Sequence, residues 1–509
     1  MRTALSCLLS AVIAAGLVVA CSRGPLDRTS YAAAPCPQPN FPGVPQADLG
    51  SNYSCGYLTV PENRDDPKSR TIRILVAKVK AASDKPKPDP IVFLAGGPGG
   101  AGTLSALGVV AGGMNADRDV IFVNQRGTVH SDPHLSCPEM DDFADTAVQL
   151  DFQAQSTADL DAAAVTACRT RLTSTGVHFA SYDTRENAAD IADLRVKLGI
   201  EQWNVYGVSY GTDLAQQLLR NHPQGIRSVV LDSVVPPNLN LVEHWWEAPA
   251  SGLAAIFAAC ADQPTCAAAY PDLPTVFLNT VNKLSQKPLE ATTTAPNGDD
   301  VLKVTIDGSK LVTLLIDWSA DPAKVTDIPR MIFALSKGDG SLAGAGIAAN
   351  VPPPPERGLL GAGLALGAYC QEMANWTTPD QALSKARSAM PLLPDSVLRI
   401  TPTGSWIFRE CGAWGLGRSD TADALPVFSK VPTLILSGSF DSSTAPQWVR
   451  EITPRLNNSL ALRFPGVGHG VLPTSSCAQS IMTAFLNNPS VDVDQSCIAL
   501  SKFPTFSVP

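Results

Sequence analysis

The chain lacks what several large classes of protein require. Its 509 residues carry 47 acidic against 38 basic side chains, a formal charge of −9, and no lysine/arginine cluster long enough to follow a phosphate backbone. Nucleic acid is therefore excluded as a partner. No Cys-x-x-Cys pair occurs. His130 and His134 stand four apart, but Pro133 between them spoils a shared helical face, so they read as loop histidines and no zinc site is implied. No G-x-x-x-x-G-K-S/T element accompanies the glycines at 96–100, and a phosphate cradle is not supported. Internal repeats are absent, and no metal or organic cofactor follows from any of these patterns. What remains is a chain 45% hydrophobic and 17% charged, long enough to bury a large core as one domain with an insertion or as two to three domains.

The amino terminus reads as an export signal: Arg2, then an apolar run from Ala4 to Ala20 interrupted only by Ser6, Cys7, Ser10 and Gly16. It is too short and too rich in small residues for a membrane-spanning helix, although an uncleaved anchor and plain secretion are alternatives. Val18-Val19-Ala20-Cys21 resembles a bacterial lipobox. That implies removal of residues 1–20, a diacylglycerol on Cys21, and residues 21–48 as a flexible tether between a membrane surface and the folded body. With Cys7 and Cys21 set aside, ten cysteines remain: Cys36, Cys55, Cys137, Cys168, Cys260, Cys266, Cys370, Cys411, Cys477 and Cys497. In an exported chain an even set most simply means disulfides, but spacing alone does not give their connectivity.

Thr71–Val79 alternates partially, as a half-buried strand near a sheet edge would. Ile91–Leu94 and Val120–Val123 are continuous apolar runs of the kind buried on both faces of a parallel sheet. From Thr184 to Leu198 the spacing is helical, with Asp190 and Asp193 facing out beside Arg195 and Gly199 at the C-cap position. A strand over 203–208, a helix from Ser209 to about Asn221 stopped by Pro223, and a strand from Arg227 to Asp232 follow. This alternation predicts an α/β fold, a doubly wound, mostly parallel sheet with helices on both faces. Between Pro236 and Pro426 the rhythm changes to Ala-rich helical segments such as Ser251–Ala269, with Trp245-Trp246 at the entrance and a stiff exposed connector at Val351–Pro355. The regular pattern resumes with a strand at Pro432–Gly438, a helix near Pro446–Leu456, a strand at Leu460–Phe464 and a closing helix around Cys477–Asn487. The division is one core, residues 49–235 and 427–509, interrupted by a mostly helical lid, residues 236–426.

Gly207-Val208-Ser209-Tyr210-Gly211 follows a predicted strand and opens a predicted helix, the context of a nucleophile elbow. A serine hydroxyl attacks poorly unless a histidine takes its proton and a carboxylate orients that histidine. Asp441 follows the strand ending at Gly438; His469 sits in Gly466-Val467-Gly468-His469-Gly470, after the strand ending at Phe464. The order Ser209, Asp441, His469 is that of α/β-hydrolases. Asp232, also at a strand end, is the rival acid. Asp441 is preferred because it lies one helix and one strand before the histidine in an Asp-x-x-Thr-x-Pro turn, which leaves Asp232 a structural role. A tetrahedral intermediate needs two amide donors: the N–H of Tyr210 and one from Gly96-Gly97-Pro98-Gly99, Gly97 first and Gly96 second. His178, His222 and His244 read as surface or interface residues, and Arg126 as a structural tie.

Taken together, Gly96-Gly97-Pro98-Gly99, Asn124-Gln125-Arg126-Gly127, Gly207-Val208-Ser209-Tyr210-Gly211-Thr212, Asp441-x-x-Thr444-x-Pro446 and Gly468-His469 resemble the prolyl iminopeptidase and tripeptidyl aminopeptidase family, most nearly its exported, cysteine-containing actinobacterial branch. The match covers about residues 50–500. Two departures, Ala95 before the glycines and Gly127-Thr128-Val129-His130-Ser131, weigh against strict proline specificity. The resemblance implies a serine exopeptidase that removes residues from peptide amino termini beneath a lid, with peptide as its partner. It implies an acidic anchor for the free ammonium, Glu372 in Cys370-Gln371-Glu372, with Glu410, Glu243 and Glu247 in reserve. It also implies disulfides in sequence order: Cys36–Cys55, Cys137–Cys168, Cys260–Cys266, Cys370–Cys411 and Cys477–Cys497. A carboxylesterase or lipase on the same triad is the alternative. A non-catalytic envelope binding protein on a hydrolase scaffold is a third reading, against which the intact triad argues.

Overall fold

The structure, a computed structural model, describes residues 28–37, 52–295, 301–351, 357–489 and 493–509. The signal segment, Cys21 and the Pro-rich run at 352–355 lie outside the described residues. The strands are β1 (Ser30–Ala34), β2 (Tyr53–Pro61), β3 (Thr71–Val79), β4 (Ile91–Leu94), β5 (Val120–Val123), β6 (Trp203–Val208), β7 (Ile226–Asp232), β8 (Leu289–Thr294), β9 (Val301–Ile306), β10 (Thr433–Gly438) and β11 (Ser459–Phe464). β8 and β9 pair only with each other; the other nine form one sheet in the order β1-β2-β3-β5-β4-β6-β7-β10-β11. Pairing is antiparallel from β1 through β3 to β5 and parallel from there to β11.

The helices that position the site are α1 (Gln155–Thr173), α2 (Thr184–Lys197), α3 (Tyr210–Asn221), α4 (Glu247–Ala261), α5 (Gly308–Ala320), α6 (Ala362–Glu372), α7 (Ile407–Trp414) and α8 (Ser476–Asn487). Every residue of β4 and β5 is buried, and their side chains alternate between two layers. Val92, Leu94, Ile121 and Val123 join Ile191 and Leu194 of α2 and Leu214 and Leu218 of α3. Ile91, Phe93, Val120 and Phe122 join Ile481 and Phe485 of α8 on the other face. Runs that are apolar at both parities are what a sheet covered on both faces requires. The segment between β7 and β10 builds a separate core, including Ile256, Phe257, Leu311 and Leu315, into which Phe440 of the Asp441 loop and Phe506 of the C-terminal tail also insert.

Several expectations are corrected. β3 is not near an edge, because β2 and β1 continue the sheet beyond it. β1 falls inside the stretch read as a tether; its five residues pair with β2 from Ser30–Thr59 to Ala34–Cys55. Asp190 does not face out. It is 2% exposed and accepts from Arg126 Nε (2.7 Å) and Nη2 (2.8 Å), because a fully buried guanidinium needs a carboxylate beside it. Arg126 also donates to the carbonyls of Glu62 and Ser181, so it does tie loops together. The helix read over Ser251–Ala269 is two, α4 and Pro264–Ala269, with Pro264 opening the second. The helix read near Pro446–Leu456 is only a turn of 3-10 helix and Val449–Ile452. All five disulfides are those implied by the family resemblance.

Candidate active site

At the end of β6 the chain turns straight into α3 through Ser209, held at φ 57° and ψ −127°. Both flanking glycines are needed for contact reasons. A Cβ at Gly207 would lie 2.2 Å from the Gly211 carbonyl oxygen, and one at Gly211 would lie 2.1 Å from that of Leu94. A serine kept in a sparsely populated conformation by its surroundings is the local signature of a nucleophile elbow. The glycine loop after β4 passes directly against it: a Cβ on Gly96 would sit 2.9 Å from Ser209 Cβ and 3.4 Å from Oγ.

Asp441 follows β10 and His469 follows β11, two strands adjacent in the sheet. His469 Nδ1 lies 3.0 Å from both carboxylate oxygens of Asp441. Asp441 is fully buried and also accepts from the N–H groups of Ser443 (2.9 Å) and Thr444 (2.8 Å) and from the Thr444 hydroxyl (2.7 Å). Burial opposes charge on both partners, but mutual attraction and their hydrogen bond win. The His469 pKa is raised above its ordinary value and that of Asp441 is lowered.

Asp232, at the end of β7 between β6 and β10, is not the partner of the Nδ1 atom. Its carboxylate accepts from the N–H groups of Val471 (2.8 Å) and Leu472 (2.9 Å) and from the Tyr206 hydroxyl (2.7 Å). Its carbonyl accepts from the N–H of Ser209 at 3.0 Å. The next residue, Ser233, accepts from the N–H of Gly470 at 2.9 Å. Asp232 thus fixes the loop after His469 against Ser209.

The segment between β7 and β10 is stitched to the glycine loop. Gly361, before α6, donates to the Gly99 carbonyl at 2.9 Å, and the Tyr369 hydroxyl donates to the Gly97 carbonyl at 2.9 Å. At the end of α6, Glu372 accepts from the N–H of Thr184 (2.7 Å) and its hydroxyl (2.6 Å). That hydroxyl accepts in turn from the Tyr210 side chain at 2.8 Å. Glu372 shares a pocket of about 240 Å³ with Asp213, Glu243 and Asp423. Burial, with Asp213 and Asp183 nearby, pushes the Glu372 pKa well above the usual carboxylate range; burial brings Asp213 up to about 7. Asp213 is 4% exposed, and its Oδ1 has no hydrogen-bond partner. Of the reserve acids, Glu243 lines this pocket, Glu247 lies between His244 (2.6 Å) and Trp448 (2.8 Å), and Glu410 is buried against Ser405.

Sequence reasoning passed over Asp213, Asp423, Thr184 and Tyr369. Asp213 had a signal, its place four residues after Ser209 on the elbow helix; the others reach the site only through tertiary packing. Among the described residues, no group of three or more histidine, cysteine, aspartate or glutamate side chains is arranged to hold a metal ion.

Residues 89–284 match the α/β hydrolase fold family, and residues 397–497 match the TAP-like protein family. The chain has the α/β-hydrolase fold. It is 24% identical over 476 residues to the serine protease Hip1 of Mycobacterium tuberculosis, which covers 89% of this chain and 88% of that protein. It is 29% identical over 213 residues to the tripeptidyl aminopeptidase of Streptomyces coelicolor, covering 40% of this chain and 38% of that one. A probable proline iminopeptidase of the same organism is 28% identical over 149 residues, 29% of this chain and 34% of the relative. This α/β-hydrolase is a serine hydrolase with serine peptidases among its relatives.

Proposed function

We propose that the protein is an exported serine aminopeptidase of the tripeptidyl or prolyl type, which cleaves peptides near their amino termini through an acyl-enzyme on Ser209. The observation that carries this reading is the pairing of His469 with buried Asp441 at neighbouring strand ends, with Ser209 held in the elbow beside the glycine loop. In the proposed mechanism His469 takes the Ser209 proton as the hydroxyl attacks the scissile carbonyl carbon. The N–H groups of Gly97 and Tyr210 receive the oxyanion. His469 then gives its proton to the departing amine, and a water activated by the same imidazole hydrolyses the ester. Asp441 keeps the imidazole in the tautomer with its proton on Nδ1 and stabilises the cation.

The amino-terminal preference is supported by the acidic pocket. Four carboxylates, one with an unpartnered buried oxygen, make a place that a cation neutralises, and a peptide ammonium is the cation such a substrate offers. Glu372 is its proposed centre. Export is supported by the leader pattern and by five disulfides, which persist in oxidising compartments. Lipid attachment at Cys21 is part of the same proposal. Among the described residues, no helix is long and apolar enough to cross a membrane.

The test compares tripeptide anilides carrying a free amine with the same compounds amino-blocked, and with short acyl esters. The reading predicts turnover of the free peptides at least tenfold above the blocked ones. Equal turnover of blocked and free substrates, or hydrolysis of esters alone, contradicts it.

A further inference from the structure

One described cavity belongs to none of the groups above. It measures about 540 Å³ and lies where residues 152–158 meet the segment between β7 and β10, walled by Phe152, Trp245, Trp246, Leu398, Trp406 and Phe408. That volume is in the range of pockets that enclose small ligands. Its walls are fixed. Phe152 donates its N–H to Asp307 at 2.7 Å, carries the Lys310 ammonium 4.7 Å over its ring, and meets Trp406 edge to face at 4.9 Å. Lys310 is itself held by the carbonyls of Val148, Leu150 and Thr305.

The cavity is also tied to the reacting centre by two routes. Trp245 packs edge to face on Tyr369 at 5.5 Å, and Tyr369 bonds the Gly97 carbonyl. Trp246 caps α4, whose Gly252 is so close to the Asp441 loop that an added Cβ would lie 2.8 Å from the Asp441 carbonyl oxygen. A chamber walled by aromatic rings and joined to the glycine loop through Trp245 and Tyr369 is a place for an aromatic group, because rings pack well edge to face or offset on other rings.

We infer that this cavity is a specificity subsite that receives a bulky aromatic side chain of the peptide substrate. The inference rests on the peptidase reading and narrows its substrate class to peptides bearing phenylalanine, tyrosine or tryptophan near the cut. An aromatic residue seated there makes new contact with Trp245, Trp246 and Trp406, whereas alanine leaves the chamber unfilled.

The experiment measures kcat/KM for tripeptide anilides with phenylalanine or alanine at each position in turn, in the wild type and in Ala382→Trp. Ala382 is a partly buried residue on the cavity wall, and a larger side chain there fills the chamber. The expected wild-type result is at least a tenfold preference for phenylalanine at one position, and Ala382→Trp should reduce that ratio at least fivefold. A wild-type ratio near one at all positions, or a ratio that Ala382→Trp leaves unchanged, overturns the assignment.

A second measurement does not depend on turnover or on that variant folding. Titrating Ser209→Ala protein with the phenylalanine tripeptide should quench or shift tryptophan fluorescence saturably, and the alanine tripeptide should do so only at concentrations at least tenfold higher. Equal responses count against the subsite. Failure of the parent reading looks different: wild-type protein that reacts with a fluorophosphonate probe yet cleaves none of the peptides contradicts the peptidase function itself.

Discussion

Ser209 and Asp232 are joined through the backbone, the N–H of the serine donating to the aspartate carbonyl at 3.0 Å, while the same aspartate's carboxylate holds Val471 and Leu472 just beyond His469. One buried residue therefore sets the spacing between two loops that are 260 positions apart in the chain, the difference between 209 and 469. Asp232→Asn keeps the shape but replaces one acceptor oxygen by an N–H2 group, which must face Val471, Leu472 or Tyr206. The expected cost is about 1–3 kcal/mol of stability. A 10- to 100-fold fall in the rate of fluorophosphonate labelling should accompany it, with far-UV circular dichroism unchanged. Wild-type labelling in a folded Asp232→Asn protein would show that the loop is held by other means.

The proposed mechanism needs His469 neutral, and its pKa is raised above 6.5 because Asp441 outweighs burial. The acid limb of kcat/KM should therefore lie above 6.5, activity being lost as pH falls through the raised value. Asp441→Asn should move that limb downward and cost about 10³–10⁴-fold in kcat. For stability the signs differ. The raised His469 contributes below its unfolded value of about 6.5, and that contribution is lost as pH rises through the folded pKa; the lowered Asp441 contributes above about 3.8 and loses its share on acidification. The pair is strongest between those limits, which a series of thermal melts across pH would register.

The acidic pocket has its own pH signature. Burial brings Asp213 up to about 7 and pushes Glu372 well above the usual carboxylate range, so the pocket gains negative charge as pH rises. A peptide α-ammonium loses its proton near about 8. KM for a free tripeptide should thus be lowest between roughly 7 and 8 and rise on both sides, while an amino-blocked substrate shows no such minimum. Glu372→Gln should raise KM for free peptides by about 10- to 100-fold, equivalent to losing one charge-assisted contact, with kcat for a blocked ester altered less than twofold.

How far the sequence reached can be judged at particular residues. The strand runs at Ile91–Leu94 and Val120–Val123 were legible because a two-faced sheet leaves no polar position in them. Gly207 and Gly211 marked the elbow because any Cβ there collides with backbone. Asp190 was misplaced because helical periodicity tells which face a residue occupies but not that a buried Arg126 awaits it there. The edge strand β1 was hidden in a Pro- and Ala-rich segment whose local preferences say little; its pairing with β2, and the Cys36–Cys55 link beside it, supply the order. The companions of Glu372 were invisible because Thr184, Asp213 and Asp423 converge only when the helices pack.

The Cys370–Cys411 disulfide joins α6, which carries Glu372, to α7 across 41 residues of sequence. Both cysteines are buried. Replacing the pair by alanine should destabilise the lid by about 3–4 kcal/mol. KM for free peptides should rise more than the fluorophosphonate labelling rate falls, because the proposed amine pocket depends on α6 more than Ser209 does. Equal losses in both would mean that the bridge supports the whole fold rather than the lid.

The most direct test is mass spectrometry of a defined, unblocked ten-residue peptide digested by the wild type and by Ser209→Ala, with time points. The account predicts that the wild type releases short amino-terminal fragments in steps, tripeptides or single residues, that an acetylated copy of the peptide survives, and that Ser209→Ala releases nothing. Cleavage that starts from the carboxyl end or the middle, or fragments produced equally by Ser209→Ala, would contradict it.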